Sequence, residues 1–128
     1  MTRYLFLLFL LFLPATLRAS DLPAQLQFAD SLAADNDHYR AITEYKRFLF
    51  LKPDSPLVPQ VKLSISTSFI SGKRWEQADA SLENLLLFHP QSPEAAKGRL
   101  IYADSAYERG DFSLARDRYR SLAKTQPD

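Results

Sequence analysis

The chain has 128 residues, a length typical of one domain. Apolar residues make up 46% of it and charged residues 24%, proportions that favour a folded protein over a disordered one. The formal net charge of +1 gives no long-range attraction for nucleic acid. The absence of cysteine excludes a disulfide framework, a thiolate zinc site and a cysteine nucleophile.

Residues 1–19 have the layout of a secretory signal peptide. Arg3 gives a short positive start, residues 4–13 are apolar without a break, and the segment ends on the small residue Ala19. An apolar run of this length covers only about half of the hydrocarbon layer of a bilayer, which favours a cleaved signal over an uncleaved inner-membrane anchor. We expect cleavage between Ala19 and Ser20, and cleavage after Ala15 is the alternative, because Leu17 is larger than the residue usual at its position before the cut. Because a lipid anchor would need a cysteine after the signal, the sequence predicts an exported, periplasmic and soluble protein.

The rest of the chain repeats itself with a period of 37 residues. The stretch FLFLKPDSP at residues 48–56 returns as LLLFHPQSP at residues 85–93. Residues that are separated by one or two periods share what we call a register position. Three such sets are Pro53, Pro90 and Pro127; Ala41, Ala78 and Ala115; and Tyr45, Leu82 and Tyr119. A fixed period of this size is typical of stacked-repeat architectures.

Each repeat contains two apolar stripes with spacings of three and four, which is the pattern of amphipathic helices. The stripes of the first helices are Leu26, Phe28, Ala29 and Leu32; Val61, Ile65 and Phe69; and Tyr102, Ala103 and Ala106. The stripes of the second helices are Ile42, Tyr45, Phe48 and Leu49; Leu82, Leu85 and Leu86; and Phe112, Ala115, Tyr119 and Leu122.

Turn and capping residues separate these helices. Gly72 and Gly110 are expected to end first helices in the left-handed conformation, and Ser55, Ser92 and Asp111 to cap the helices that follow them. The sequence therefore predicts an all-α solenoid of three antiparallel helix pairs. The repeats fall at about residues 22–53, 57–90 and 93–127, within a domain that spans residues 20–128. The smaller apolar side chains of the last helix favour a helix that caps the array over the start of a further repeat.

Three copies of the pattern Ala-x3-Tyr or Ala-x3-Leu, each followed by proline at the same distance, resemble the second half of the tetratricopeptide repeat. The longer period and the link with Ser-Pro are similar to those of exported tetratricopeptide proteins of bacterial envelopes, such as those of outer-membrane assembly and the Tol-Pal system. The first half of the family pattern is poorly kept, with Gln25, Lys62 and Arg99 where the family has tryptophan. The resemblance implies a non-catalytic scaffold that binds a protein or an extended peptide in a groove lined by its first helices.

By register, polar residues of the first helices would line that groove. They are Asp30, Gln60, Ser64, Thr67, Ser71, Lys97, Asp104, Tyr107 and Glu108. The family's clamp for a free C-terminal carboxylate is absent, because Leu26, Leu63 and Ile101 stand among its positions. The competing interpretation is a solvated polar face without a partner.

Phe50 and Leu87 share a register position in the second helices. They either form an exposed apolar patch or turn into the core. An exposed patch would support the alternative function, a homo-oligomeric structural component of the envelope.

The basic residues of the last helix pair are interpreted as a solvated face, because acidic residues are interleaved with them. They are Arg109, Arg116, Arg118, Arg120 and Lys124. His38 and His89 lie in different loops, and no catalytic constellation or metal-ligand spacing accompanies them. We therefore predict no enzyme activity, no metal and no cofactor. The expected partner is a protein or peptide rather than nucleic acid, and a membrane-associated partner is left open.

Overall fold

The computed structural model describes residues 22–125, which form six α-helices and contain no β-strand. The helices are α1 (Ala24–Ala34), α2 (His38–Leu51), α3 (Val58–Ser71), α4 (Trp75–Phe88), α5 (Pro93–Glu108) and α6 (Phe112–Thr125). Helices α1 and α2, α3 and α4, and α5 and α6 pack as hairpins. The hairpins stack through contacts of α2 with α3, of α4 with α5, and of α3 with α5. The predicted all-α solenoid of three helix pairs is confirmed.

The turn inside each hairpin has the same backbone conformation. Asn36, Lys73 and Gly110 share a register position, and their φ angles are all positive, at 62°, 56° and 84°. The prediction was right for Gly110 and wrong for Gly72, whose φ is −80°. In the middle hairpin the residue with a positive φ is Lys73, one position after Gly72. The left-handed conformation therefore recurs at one register position of the repeat and does not require glycine there.

Two of the three predicted N-caps are in place, and the prediction for Ser55 is wrong, because α3 begins only at Val58 and has Leu57 as its N-cap. Ser92 accepts a hydrogen bond from the backbone N–H of Ala95 at 3.1 Å, and Asp111 accepts one from that of Leu114 at 3.1 Å. Asp37 caps α2 in the same way through the N–H of Arg40. Each cap satisfies a donor that the first turn of a helix leaves free.

The core is bulky in the first two hairpins and small in the third. Large buried side chains such as Tyr45, Phe48 and Phe69 fill the first part of the stack. The buried residues of the last hairpin are small: Ala95, Gly98, Ala103, Ser105, Ala106 and Ala115. A Cβ added at Gly98 would lie 3.2 Å from Cδ2 of Leu85, so α5 approaches α4 closely at this point. The stack is thus continuous, although its third hairpin contributes little apolar volume.

Three residues of the predicted apolar stripes are exposed instead. Phe28 is 46%, Phe112 is 62% and Tyr119 is 36% exposed. Tyr119 shares its register position with Tyr45 and Leu82, which are buried because α3 and α5 respectively pack next to their helices. The described array has no helix before α1 and none after α6, so the outer faces of these two helices keep their apolar side chains in solvent.

Some expectations concern residues 1–21 and 126–128, which lie outside the described part of the chain. These are the signal peptide, its cleavage between Ala19 and Ser20, and the behaviour of the C-terminal link. Among the helices of residues 22–125, none has the length and apolar character needed to cross a membrane.

Candidate protein-binding surfaces

The first surface is the face of α1, α3 and α5 that carries the nine residues predicted for a groove. Six of them are exposed: Asp30, Gln60, Ser71, Lys97, Tyr107 and Glu108. The other three, Ser64, Thr67 and Asp104, are half-buried. On α3 the four predicted residues follow one another at spacings of four and three, so they lie on one side of the helix. We call this surface the first-helix face, and its role in binding stays a prediction.

Two carboxylates of the first-helix face are held by tyrosines of the second helices. The hydroxyl of Tyr45 donates a hydrogen bond to Asp30, and that of Tyr119 donates one to Asp104. Burial, together with the hydrogen bond to Asp30, raises the pKa of Tyr45. The hydrogen bond to Asp104 raises the pKa of Tyr119. Both phenols therefore stay protonated donors at neutral pH, and they fix the position of the two carboxylates.

This pairing had a signal in the sequence. In the middle hairpin the same two register positions hold Leu82 and Thr67, so the tyrosine and the aspartate are present together or absent together. Register alone placed Asp30 and Asp104 on the groove. It did not show that each one is bonded within its own hairpin.

A second kind of surface lies between the second helices. A cleft of about 370 Å³ runs between α2 and α4, with α3 as its floor. We call it the lysine cleft, and it is lined by Lys46, Leu49, Lys62, Ile65, Phe69, Gln77, Ala80, Ser81 and Asn84. At 3.6 residues per turn, the residues that α3 contributes to this cleft lie on the side of the helix opposite the first-helix face.

The ammonium groups of both lysines in this cleft lie near aromatic rings, and that of Lys62 also contacts an amide. The Lys62 amine donates to Oδ1 of Asn84 at 2.7 Å and lies 5.2 Å from the ring centroid of Phe88. The Lys46 amine lies 5.6 Å from the ring centroid of Phe69. Burial lowers the pKa of Lys62, because desolvation disfavours the ammonium form. Neither lysine forms an ion pair with a carboxylate of residues 22–125.

The lysine cleft continues toward the ends of α2 and α4. A neighbouring space of about 330 Å³ shares Leu49 and Lys62 with it. Val58, Phe88 and His89 also line this space. The side chains that line the two spaces are apolar, amide, hydroxyl or basic, and none of them is acidic.

A corresponding cleft of about 380 Å³ lies between α4 and α6, with α5 as its floor. We call it the arginine cleft, and it is lined by Leu86, Arg99, Tyr102, Leu114, Asp117, Arg118, Ser121, Leu122 and Thr125. The first seven of these residues share register positions with residues of the lysine cleft: in order, Leu49, Lys62, Ile65, Gln77, Ala80, Ser81 and Asn84. The 37-residue period therefore produces the same cleft twice.

In the arginine cleft the protein supplies its own counter-charges. Asp79 accepts two hydrogen bonds from Arg118, at 2.8 and 3.0 Å, and one from Arg109 at 3.0 Å. The three side chains are only 10–18% exposed. The sequence-based interpretation of Arg109 and Arg118 as part of a solvated face is therefore wrong. The ion pairs connect residues 30 and 39 positions apart, and no local pattern announces such a contact.

Tyr102 extends this network. Its ring lies beneath the guanidinium of Arg118, with 3.5 Å between Cζ and the ring centroid, and its hydroxyl donates to Glu83 at 2.6 Å. Burial, the hydrogen bond to Glu83 and nearby carboxylates together raise the pKa of Tyr102 to about 12, although the charge of Arg118 acts in the opposite direction. Burial lowers the pKa of Arg118, but the hydrogen bond and charge of Asp79, together with Tyr102 and Glu83, raise it by more, so the guanidinium stays charged.

Phe50 and Leu87 face solvent. They are 84% and 72% exposed, so of the two alternatives the exposed patch is right. Their neighbours Leu51 and Phe88 are also mostly exposed. We call these four residues the apolar patch. The longer repeat period does not turn Phe50 and Leu87 into the core, because each lies about 200° around its helix from the buried Phe48 or Leu85.

Within residues 22–125, no group of three His, Asp or Glu side chains is placed to hold a metal ion. The surfaces offer carboxylates held by phenols, ammonium groups beside rings, and exposed apolar side chains.

Comparison with known proteins agrees with the geometry of the last hairpin. The tetratricopeptide repeat family matches residues 99–128, which include α6 and most of α5. No curated protein matches the chain. The fold and this match define a helical repeat protein that contains a tetratricopeptide repeat. Such repeats generally mediate contacts between proteins and are generally non-catalytic.

Proposed function

We propose that this protein is a non-catalytic scaffold of the bacterial cell envelope that holds a protein or peptide partner on its first-helix face. The observation that carries the proposal is the tetratricopeptide repeat at residues 99–128 within a stack of three hairpins. The first helices of this stack keep polar side chains that packing does not use. Binding would rest on many modest contacts along an extended segment rather than on a covalent step.

The fixed carboxylates support this surface. One oxygen of Asp30 and one of Asp104 accept a tyrosine hydroxyl, which leaves other lone pairs free for donors of a partner. Because the tyrosines hold both carboxylates in place, less side-chain freedom is lost when a partner binds. A partner with backbone N–H groups or basic side chains fits this arrangement.

Site-specific photocrosslinking tests the proposal. A photoreactive amino acid at Thr67 or Lys97 would face the partner, whereas the same group at exposed Glu76, on the side of α4 away from its buried residues, would face away from it. We expect one discrete crosslinked protein from the first two positions in envelope-producing cells. Equal crosslinking from all three positions, or none from any, would contradict the first-helix face as the binding surface.

Export is part of the proposal and has its own test. The layout of residues 1–19 supports a cleaved signal peptide. Mass spectrometry of the protein purified from a periplasmic fraction is expected to show Ser20 as the first residue. Recovery of the uncleaved chain with the inner membrane would instead favour an anchored protein.

The second candidate function is a homo-oligomeric structural component, which the apolar patch favours. Sedimentation of the wild-type protein and of a Phe50→Ser, Leu87→Ser variant would decide it. A dimer that the double variant abolishes would support self-association, and a wild-type monomer at tens of micromolar would remove it.

A further inference from the structure

We propose that the lysine cleft is a second binding site, which takes an acidic segment of a protein: a short stretch in which Asp or Glu side chains alternate with apolar ones. It lies on the side of α3 opposite the first-helix face, so it goes beyond the function proposed above and does not depend on it. The ligand chemistry follows from the charges, the walls and the repeat.

Neither ammonium group of the cleft is paired with a carboxylate of residues 22–125. Lys46 and Lys62 both line the cleft, and no acidic residue does. Lys62 is partly removed from water, and its contacts with Asn84 and the Phe88 ring only partly replace hydration. A carboxylate within hydrogen-bond distance would stabilise this ammonium group more strongly than either contact.

The arginine cleft shows which groups complete this geometry. There, Asp79 and Glu83 on α4 supply carboxylates to Arg118 and Tyr102. The same register positions on α2 hold Ile42, which is buried in the core, and Lys46, which adds a second cation. The lysine cleft thus has neither carboxylate, while Lys62 stands at the register position of Arg99 and Ser81 at that of Arg118. A ligand that brings carboxylates would give Lys46 and Lys62 the counter-charge that Asp79 gives Arg118 in the other cleft.

The walls of the cleft select a peptide over a nucleic acid. Leu49, Ile65 and Phe69 give it an apolar base, and Gln77 and Asn84 offer amide groups for a peptide backbone. Nucleic acid binding depends on many phosphate contacts, and two lysines provide few. The neighbouring space beside Val58 and Phe88 gives room for the apolar side chains that alternate with the acidic side chains of the ligand.

Binding of a defined peptide tests the inference. The probe is a fluorescent, amidated peptide of about nine residues in which Glu alternates with Ala and Leu, and its partner probe has Gln at every Glu. Anisotropy is measured with the purified protein in the form the cell produces, with and without Lys46→Gln or Lys62→Gln. Each substitution is expected to weaken binding of the Glu peptide about tenfold, since each removes a charge-assisted hydrogen bond. The Gln peptide is expected to bind at least about tenfold more weakly than the Glu peptide to the wild-type protein.

Lys124→Gln is the matched control, because it makes the same charge change at an exposed residue of α6 that belongs neither to the lysine cleft nor to the first-helix face. It is expected to leave the affinity unchanged, with circular dichroism showing that all variants are folded. If Lys97→Gln on the first-helix face weakens binding and Lys62→Gln does not, the acidic peptide uses that face, which overturns this inference and leaves the proposed function standing. No binding at millimolar peptide, or equal binding of the two probes, also overturns it. Displacement of the probe by a short DNA oligonucleotide at similar concentration would overturn the choice of a peptide.

Discussion

The lysine cleft and the arginine cleft are two copies of one shape with different charge arrangements. Both lie between successive second helices, and seven of their lining positions are related by the 37-residue period. In the arginine cleft, Arg118 crosses from α6 to Asp79 on α4 and joins the two walls. In the lysine cleft the same position is Ser81, which bonds to Ser66 of α3 at 2.8 Å and leaves the walls unbridged.

The difference shows that equivalent positions of a repeat protein can serve stability in one repeat and be available for binding in another. The period fixes the backbone and therefore the cleft, whereas the side chains at each register position decide whether the protein closes the cleft itself. The third hairpin has a core of small residues, and the ion pairs of Arg109 and Arg118 with Asp79 connect it to α4. The first two hairpins have a large apolar core, so their cleft can keep unpaired cations.

The strongest test of this comparison is Asp79→Ala. The substitution leaves Arg118 and Arg109 without their shared carboxylate at a site that is mostly shielded from water. Removing one partner of a buried ion pair is strongly destabilising, so we expect the free energy of unfolding to fall by about 2–4 kcal/mol. Urea denaturation followed by circular dichroism measures it.

Asp117→Ala is the control for that experiment. Asp117 pairs with Arg116 on the surface of α6, the helix that carries Arg118, and both side chains are about 60% exposed, so its loss is expected to change the unfolding free energy by less than about 0.5 kcal/mol. Equal losses for the two variants would mean that the network around Asp79 is a surface feature, and the contrast between the clefts would disappear.

The sequence predicted the parts of this comparison that follow the period. Prolines, alanines and capping residues at fixed register positions predicted the helix pairs, and the prediction of Ser92 and Asp111 as N-caps is confirmed. The clefts were not predicted, because they lie between helices that are one repeat apart and involve long side chains whose direction depends on packing. Asp79 shares its register position with Ile42 and Arg116, so no repeated residue type marked it.

The same limit applies to exposure at the ends of helices. The stripe rule placed Phe28 and Phe112 in the core, although the outer faces of α1 and α6 have no described neighbour. For Phe50 the register left both alternatives open, and the structure decides for exposure. Register predicts which residues are equivalent, whereas burial depends on whether a neighbouring helix is present.

A medium effect is expected for Tyr102→Phe, which keeps the ring beneath Arg118 but removes the hydrogen bond to Glu83. We expect a loss of about 1 kcal/mol near neutral pH, the usual contribution of one such bond. Tyr107→Phe makes the same chemical change at an exposed tyrosine whose hydroxyl bonds to no described side chain, and it is expected to have no effect.

The pH dependence of Tyr102 sharpens this prediction. Its pKa is raised to about 12 in the folded protein from an unfolded value near 10. The folded state therefore holds its proton while the unfolded state loses it, so stability is full below about pH 10 and falls as pH rises toward 12. Tyr102→Phe is expected to make that fall shallower, although Tyr45 and Tyr119, whose pKa values are also raised, keep part of it. Urea midpoints at pH 8, 10 and 11 measure this, and identical slopes for wild type and variant would contradict it.

The smallest effect is expected for Lys62→Met, and it separates the two clefts most clearly. Methionine keeps the length and the apolar contacts of the lysine stem while it removes an ammonium group whose pKa burial lowers. Because the partly desolvated charge is unfavourable in the folded state, the free energy of unfolding should stay the same or rise by up to about 0.5 kcal/mol. Arg118→Met in the arginine cleft should lower it, since Asp79 would keep only Arg109. A residue that does not stabilise the fold and yet keeps its charge in a cleft is better explained by binding than by folding. A loss above about 1 kcal/mol for Lys62→Met would instead make this lysine part of the stack's own packing.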